Sequence, residues 1–383
     1  MFPLLLRRTV LTAIICQLGV LWSMAQNNIK LKYENSLLYA GIDIGSKGVK
    51  LSVLEIGQNA QKNGAFNILK DTAINTDFIS FDQPSFDATL IGLYKLFEMA
   101  EKEYKIPVDR IFTVISSGIK SQSDKENKSE WINRFIDTFR KISKDSKRQM
   151  PIIDVKDEAR LSHLGIIPES RRYNTFLIDI GSGNCKGGYF PNGNTSDLKL
   201  FQLSWGTKST ANATEKRLDN DKSLANYKKQ LERLLLGVEN NEIVYAVNAS
   251  GAYPVSDNIA FSGGIAWSLA TIMYPELIDN SVVPVTYNEL EKFNEKLFSN
   301  FESISDSAIL QSITDTWLDK IAISREVKKV YKVFEQKALL AGTGLLLKIM
   351  RQFEGIYERK QFYLVKNGQV GWISAYVNNT INK

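Results

Sequence analysis

Two short segments of the chain carry the same residue types in the same order. They are Gly41–Gly48 (GIDIGSKG) and Leu177–Asn184 (LIDIGSGN). Each places an aspartate near the end of an apolar strand, then a glycine turn with a hydroxyl, then a second strand. Glycine turns can adopt positive φ and bring backbone N–H groups close to phosphoryl oxygens, and an aspartate at a strand end can bind a divalent cation or orient water. The pattern therefore predicts phosphate-binding turns.

The repetition strengthens this interpretation. One Asp-Ile-Gly segment would fit an ordinary β-hairpin, whereas two copies at a lobe-sized separation favour a phosphate clamp built twice. Neither segment is a G-x-x-x-x-G-K-[ST] loop or a G-x-G-x-x-G turn that opens a helix. A strand–turn–strand unit in each of two halves resembles the actin, heat-shock-70 and sugar-kinase superfold, in which two related lobes close over a polyphosphate. The resemblance implies a two-lobe, actin-like (ribonuclease H-like) α/β fold with a phosphate-binding cleft between the lobes.

Three further segments narrow the resemblance. In order along the chain they are Pro151–Gly165 (PIIDVKDEARLSHLG), Phe261–Ala270 (FSGGIAWSLA) and Ala338–Leu346 (ALLAGTGLL). They are similar to the glutamate-bearing segment, the later Gly-Gly turn and the closing alanine–glycine helix of the exopolyphosphatase / guanosine pentaphosphate phosphohydrolase (Ppx/GppA) family. Because the match covers residues 38–380, the chain resembles a divergent, exported member of that family.

This resemblance implies a set of site residues. Glu158 matches the family's catalytic glutamate and would orient an attacking water; the helix dipole alone would also favour a carboxylate in a first helical turn. Asp43 and Asp179 would act in catalysis and bind or position Mg²⁺, and Lys50 would neutralise phosphate charge. Phosphate contacts are expected from Gly45, Ser46, Lys47, Gly181, Ser182, Gly183, Lys186, Lys208, Gly263 and Gly264.

The second turn departs from the family pattern. The family's Gly-Gly-Gly-Ser-Thr-Glu is replaced here by Gly181–Lys186 (GSGNCK), so that a carboxylate associated with metal binding has become a lysine. This exchange changes the local charge by two, so Mg²⁺ is either held differently or not held. The segment after Gly368 also lacks the family's Arg-Glu-Gly. Loss of activity is therefore an open alternative.

The functional prediction is a phosphoanhydride hydrolase that releases terminal phosphate from polyphosphate or a nucleotide polyphosphate. The alternatives are a non-catalytic polyanion- or nucleotide-binding protein that uses the same cleft, and an ecto-nucleotidase-like enzyme. The formal net charge of +6 agrees with a polyanionic ligand, but this excess is too small to indicate nucleic acid. No nucleic-acid partner is predicted, and a homodimer is left open.

The two cysteines and the single histidine add no catalytic pattern. If the N-terminal segment is removed, Cys185 is the remaining thiol, so no internal disulfide or Cys/His metal site is expected. Its position after the second turn favours a small packing residue over a nucleophile. No partner set for a Ser/His/Asp triad can be recognised around His163, and a structural role is its default interpretation.

The first 25 residues read as a targeting segment. Arg7 and Arg8 precede a mainly apolar stretch, and Ser23 and Ala25 are small residues before a cleavage point at Gln26. The prediction is a periplasmic or secreted protein, with an uncleaved signal as the one route to a membrane. If Met24 is the true start, the protein would be cytoplasmic. The expected domains are residues 26–155 and 156–383, which follow a signal peptide at residues 1–25.

Apolar periodicity predicts the elements that position these residues. The first lobe should contain three antiparallel strands (Leu38–Ile44, Val49–Ile56 and Phe66–Ile74, with a turn at Asn63-Gly64), a helix ending before Pro107, a strand at Arg110–Ile115 and a helix over Trp131–Ile142. The second should contain strands at Thr175–Asp179, Lys186–Phe190 and Leu198–Leu203, a long helix at Thr207–Leu236, a helical stretch at Ile323–Phe353, and a final strand pair, Gln361–Lys366 and Val370–Val377.

Overall fold

The computed structural model describes residues 31–46, 48–60, 66–251, 256–354, 360–366, 368 and 371–382. The proposed signal segment, the Asn63-Gly64 turn and Lys47 lie outside these residues. Within them, the strands form two sheets. The strands are β1 Leu37–Gly45, β2 Gly48–Ile56, β3 Phe66–Asn75, β4 Ile111–Ile115, β5 Thr175–Ile180, β6 Cys185–Tyr189, β7 Lys199–Leu203, β8 Asn258–Ser262, β9 Val282–Val285 and β10 Gln361–Val365.

The helices cover these sheets and connect their strands. They are α1 Gln83–Glu98, α2 Ser117–Glu126, α3 Ser129–Ile142, α4 Val155–Ile166, α5 Thr207–Glu215, α6 Leu224–Val238, α7 Val244–Ser250, α8 Gly264–Met273, α9 Tyr287–Ser299, α10 Asp306–Ser312, α11 Lys320–Val333, α12 Gln336–Arg351 and α13 Gly371–Ile381. Short 3-10 and π turns join several of them.

The two sheets repeat one topology. The first has the strand order β3-β2-β1-β4, and the second has β7-β6-β5-β8-β10-β9. In each, three consecutive strands form an antiparallel meander, and the first strand of that meander also pairs in parallel with a later strand, β4 or β8. The antiparallel pairs β1–β2 and β5–β6 confirm the predicted hairpins at the two Asp-Ile-Gly segments. An apolar strand that reverses through glycines can pair with its immediate neighbour.

Each sheet forms a separate hydrophobic core with the helices that pack on it. In the first lobe, Phe86 of α1 and Phe135 of α3 meet edge to face with ring centroids 5.6 Å apart, beside the buried side chains of β1 and β2. In the second lobe, the buried faces of α6 and α12 pack with those of β5 and β8. The aromatic stripes on the predicted helices therefore belong to the core.

A third core cluster lies between the two sheets. It joins Val114 of β4 and Leu161 of α4 to Phe190 and Leu198 of the second lobe. Trp372 of α13 packs into the same cluster. The C-terminal helix thus crosses back toward the first sheet, where a side chain at Gly41 would meet Ile373 at 2.3 Å.

Three predicted elements are corrected. The predicted final strand Val370–Val377 is wrong, since residues 371–381 form helix α13. The β-branched and aromatic residues of this segment favour a strand locally. Burial between α4 and β1 makes it a helix instead. The long helix Thr207–Leu236 is two helices, because Asp219 adopts φ 47° and Ser223 caps α6. The stretch Ile323–Phe353 is likewise divided, at the extended residue Phe334.

Candidate phosphate-binding and catalytic site

Both hairpins present an aspartate and a lysine directly opposite each other. Asp43 of β1 pairs with Lys50 of β2, and Asp179 of β5 pairs with Lys186 of β6. Directly opposed residues of antiparallel strands project to the same face of the sheet. The two lysines lie two residues beyond the segments compared in the sequence analysis, so these Asp–Lys pairs were not predicted. The available signal was the repeated spacing Asp-Ile-Gly-Ser-x-x-x-Lys.

Helix α4 brings Glu158 to the junction of the two sheets. Asp154 caps the helix by accepting a hydrogen bond of 2.7 Å from the Asp157 N–H, which places Glu158 in the first turn. The Glu158 side chain is almost fully buried. Its Oε2 accepts a hydrogen bond of 3.0 Å from the backbone N–H of Ser117, and its Oε1 accepts one from Lys186 Nζ. Glu158 therefore links the start of α2, in the first lobe, to β6 in the second.

The charges of both hairpins act on one another at this junction. We call Asp43, Lys50, Glu158, Asp179 and Lys186 the charge cluster. Burial, followed by repulsion from the Glu158 carboxylate, raises the pKa of Asp43 to about 7, although both lysines oppose this change. Asp43 Oδ1 is buried and has no hydrogen-bond partner among the described residues. The tertiary structure thus leaves one carboxyl oxygen of the first hairpin unsatisfied.

Asp179 has a partner that Asp43 lacks. Ser262, at the end of β8, donates a hydrogen bond of 2.9 Å from its hydroxyl to Asp179 Oδ1. Burial raises the pKa of Asp179, while the Lys186 ammonium and the Ser262 hydroxyl partly offset the effect. The two homologous positions are therefore in different environments, although the segments around them are nearly identical in sequence.

The Glu158–Lys186 pair is ionised at neutral pH. Burial alone would raise the pKa of Glu158, but the Lys186 ammonium and the hydrogen bonds from Lys186 and Ser117 hold it below its usual value. Burial would lower the pKa of Lys186, yet the Glu158 and Asp179 carboxylates raise it. With this hydrogen-bonding pattern, Glu158 is a weaker base than a free carboxylate.

The glycine turns differ from the expected backbone geometry. Neither Gly45 nor Gly181 has positive φ, so that expectation is wrong. The Gly181 N–H donates to Asn184 O at 3.0 Å inside the turn and is already satisfied. Close packing is the constraint at these glycines instead, because a Cβ at Gly181 would lie 3.0 Å from the Asn184 oxygen and one at Gly45 would lie 3.3 Å from the Gly48 oxygen.

The first turn of α5 donates backbone hydrogen bonds to the second glycine turn. The Thr207 N–H donates to Gly181 O at 3.0 Å, and the Lys208 N–H donates to Ser182 O at 2.8 Å. These first-turn donors are therefore occupied by the protein's own carbonyl groups. The Lys208 side chain is exposed, as are Ser182 and Gly183, so these three predicted residues lie at the solvent side of the turn.

The predicted Gly-Gly turn lies directly beside Asp179. Gly263 precedes α8 and has φ 95°, the left-handed region that favours glycine. A Cβ there would lie 2.3 Å from the Ile180 oxygen and 3.1 Å from Asp179 Oδ1. Gly264 is the first residue of α8. The structure therefore places Gly263 next to Asp179 of the charge cluster, whereas a Cβ at Gly264 would lie 3.1 Å from the Phe334 ring. On the first turn, Ser46 lies beside the α2 residue Gly118.

The expected Mg²⁺ site does not fit these residues. Mg²⁺ prefers several oxygen ligands in near-octahedral geometry, and the described residues contain no group of three or more Asp, Glu, His or Cys side chains able to hold a metal ion. Lys186 also places an ammonium group among the carboxylates. Two unit charges 4 Å apart repel by about 4 kcal/mol at an effective dielectric constant of about 20, and a divalent ion doubles this figure.

A surface depression of about 430 Å³ lies beside the start of α4. Its described walls include Ser121 of α2, Val155 of α4, and Asn184 and Ser204 of the second lobe. Residues from both lobes therefore line a space that begins one helical turn from Glu158.

The remaining singled-out residues are structural. His163 is buried, donates a hydrogen bond from its Nε2–H to Thr175 O at 3.0 Å, and packs edge to face on Phe190. Burial lowers its pKa to about 4. Cys185 is also buried, and burial raises the pKa of its thiol, as expected for a packing residue.

Comparison with known structures places this architecture among two-lobe, actin-like proteins. A crystal structure of the Aquifex aeolicus member of the Ppx/GppA family matches with a TM-score of 0.62 and 16% identity, over 91% of this chain and 99% of that one. An exopolyphosphatase from Cytophaga hutchinsonii matches with a TM-score of 0.52 and 12% identity, over 90% and 98% of the two chains.

A third solved structure, an exopolyphosphatase-like protein, matches with a TM-score of 0.56 and 16% identity, over 91% of this chain and 100% of that one. The fold of this chain is thus the fold of Ppx/GppA proteins over nearly their whole length. No family model and no curated protein matches the sequence. In the described part of the chain, no helix is both long enough and apolar enough to cross a membrane.

Proposed function

We propose that this protein is a divergent member of the Ppx/GppA family and that it hydrolyses terminal phosphoanhydride bonds of polyphosphate or a nucleotide polyphosphate. The observation that carries the proposal is the position of Glu158. Its buried carboxylate lies between two Asp–Lys hairpins, one from each sheet, in a fold shared with exopolyphosphatases.

The proposed reaction is an in-line displacement by water. Glu158 accepts a proton as the water oxygen bonds to the terminal phosphorus, and the bond from that phosphorus to the bridging oxygen breaks. The bridging oxygen leaves with the bonding electron pair on the shortened chain. Lys186 and Lys50 stabilise negative charge on the transferring group. A terminal phosphate that pairs with Lys186 would also release Glu158 Oε1 to meet the water.

A second candidate is a non-catalytic polyanion-binding protein. It is supported by one specific observation, namely that both oxygens of Glu158 already accept hydrogen bonds from Ser117 and Lys186. If a bound phosphate leaves this pair intact, the cleft has no base and binds its ligand without cleaving it.

Phosphate release distinguishes the two candidates. We expect the full chain to release phosphate from polyphosphate, ATP or guanosine pentaphosphate, each measured with and without Mg²⁺. Glu158→Gln should lower turnover by about a hundredfold or more, in the range for removal of a positioned base, and should leave binding largely intact. Glu169→Gln, at an exposed glutamate just after α4, is the matched control and should keep wild-type turnover. Binding of all three compounds without any hydrolysis would favour the second candidate.

We also propose export, on the basis of the N-terminal segment alone. Residues 1–25 lie outside the described part of the chain. Cell fractionation with N-terminal sequencing of the mature protein tests the proposal, and a mature N-terminus at Gln26 is the expected result. A protein recovered in the cytoplasm that begins at Met24 would contradict it. Light scattering of the same preparation would measure whether the protein is a homodimer.

A further inference from the structure

The Lys186 ammonium group lies among the carboxylates of the charge cluster. Its side chain is 14% exposed and its ammonium group bonds the 5% exposed Glu158 carboxylate. Asp179 lies directly across the strand pair, and the field of Lys186 also reaches Asp43 in the other lobe. One ammonium group is therefore shared by three carboxylates from β1, α4 and β5.

This arrangement is incompatible with a divalent ion at the same place. Two of the three carboxylates already have protein partners, because Glu158 accepts from Lys186 and Ser117 and Asp179 accepts from Ser262. The described residues also offer no group of three or more ligands for a metal ion. A dication arriving with a ligand would meet few open oxygens and a fixed positive charge nearby.

We propose that Lys186 is the built-in cation of this site, and that the site takes polyphosphate as the metal-free anion rather than as its Mg²⁺ complex. The inference rests on the proposed function, since it specifies the form of that ligand. Ammonium groups are established phosphate partners that act as point charges. Lys50, which is 3.2 Å from Asp71, supplies a second ammonium group from the opposite hairpin.

The consequence for recognition is a reversed metal dependence. Free polyphosphate brings negative charge toward Lys186 and Lys50, and its oxygens can replace Glu158 Oε1 as the partner of Lys186. The Mg²⁺ complex carries less negative charge for the two ammonium groups to attract, and it brings a cation toward the fixed ammonium of Lys186, which repels it. Excess Mg²⁺ should therefore compete with the protein for the ligand instead of assisting its binding.

Isothermal titration of tripolyphosphate into the full chain, in EDTA and in excess Mg²⁺, tests this inference. We expect binding in EDTA and weaker binding in Mg²⁺. Lys186→Ala should weaken binding in EDTA by about tenfold or more, the range for one charge-assisted hydrogen bond. Lys199→Ala is the matched control, because Lys199 lies on the adjacent strand β7 with a side chain that is 52% exposed, and it should bind like the wild type.

Thermal unfolding with Mg²⁺ alone gives a second readout that requires no activity. The wild type should keep its melting temperature when Mg²⁺ is added. Lys186→Glu places a fourth carboxylate at the cluster, so its lower melting temperature should rise with Mg²⁺. Wild-type binding that requires Mg²⁺, or a wild-type melting temperature raised by Mg²⁺, would refute the inference and leave the proposed function standing. An absence of binding in both buffers would refute the proposed function itself.

Discussion

Asp43→Asn should make the protein more stable, and the gain should depend on pH. The Asp43 carboxyl group is buried and one of its oxygens has no hydrogen-bond partner among the described residues. Its pKa is raised from 3.8 to about 7 in the folded protein. A difference of about three in pKa corresponds to about 4 kcal/mol, since each unit is worth about 1.4 kcal/mol. Ionised Asp43 therefore lowers the free energy of unfolding, and an amide removes that penalty.

The sign of the effect follows from proton binding. Between pH 3.8 and about 7, the folded protein holds the Asp43 proton more tightly than the unfolded chain does. Stability contributed by this group is therefore fully present below pH 3.8 and is lost as the pH rises through 7. The Asn variant should match the wild type near pH 3.5 and should exceed it by up to about 4 kcal/mol at pH 8.

The difference curve is the informative quantity because His163 acts in the opposite direction. Burial lowers the His163 pKa from 6.5 to about 4, so stability from His163 is present above pH 6.5 and is lost as the pH falls through 4. Across that interval the two groups largely cancel in the wild type. His163 is unchanged in the Asn variant, so subtraction of the two curves isolates Asp43.

Urea denaturation followed by circular dichroism across pH 3.5–8, at constant ionic strength and without divalent ions, measures these curves. Asp137→Asn is the control, since that side chain is 66% exposed, and it should change stability by less than about 0.5 kcal/mol at every pH. A pH-independent difference for Asp43→Asn, or an Asn variant less stable than the wild type at pH 8, would refute the reasoning.

Three further predictions concern stability. Lys186→Ala should destabilise the protein by about 3–5 kcal/mol, because it leaves the Glu158 carboxylate buried without its cation. The double variant Lys186→Met with Glu158→Gln should be close to neutral. Chemical denaturation measures both variants, and an equal loss of stability in the two would contradict the ion-pair account. Gly263→Ala should cost about 2 kcal/mol or more, since φ is 95° and the new Cβ would lie 2.3 Å from a backbone oxygen; an unchanged melting temperature would disprove it. Gly165→Ala should lower the melting temperature, because the new Cβ on α4 would lie 1.9 Å from the Gly371 oxygen of α13. Gly237→Ala is the control. A Cβ at Gly237 would have no atom within 4 Å, so this variant should be neutral or slightly stabilising.

The sequence alone predicted the two hairpins and the α/β class, and it singled out Asp43, Glu158 and Asp179, whose charges the fold brings together. These features depend on local properties. Strands β1 and β2 alternate or run apolar up to a glycine turn, and a turn between adjacent segments can form regardless of the rest of the chain. In the structure, Asp154 caps the helix that carries Glu158, which is also a local interaction.

Helix α13 was decided by tertiary structure. Trp372, Ile373, Tyr376 and Val377 favour a strand when they are considered locally. In the folded protein this segment is buried against α4 and β1, and helical packing against those elements outweighs local propensity. The breaks at Asp219 and Phe334 have the same origin, because ending the first helix there allows the next helix to bury its own apolar side chains.

The electrostatic state of the site was also beyond the sequence. Lys186 and Glu158 are 28 residues apart and belong to different elements, β6 and α4, so their pairing depends on how α4 packs against the second sheet. Asp43 and Asp179 occupy matching positions in nearly identical segments, yet the Ser262 hydroxyl reaches only Asp179 among the described contacts. Residue type fixes which groups can ionise, whereas burial and distance fix their pKa values, and both of those quantities exist only in the folded chain.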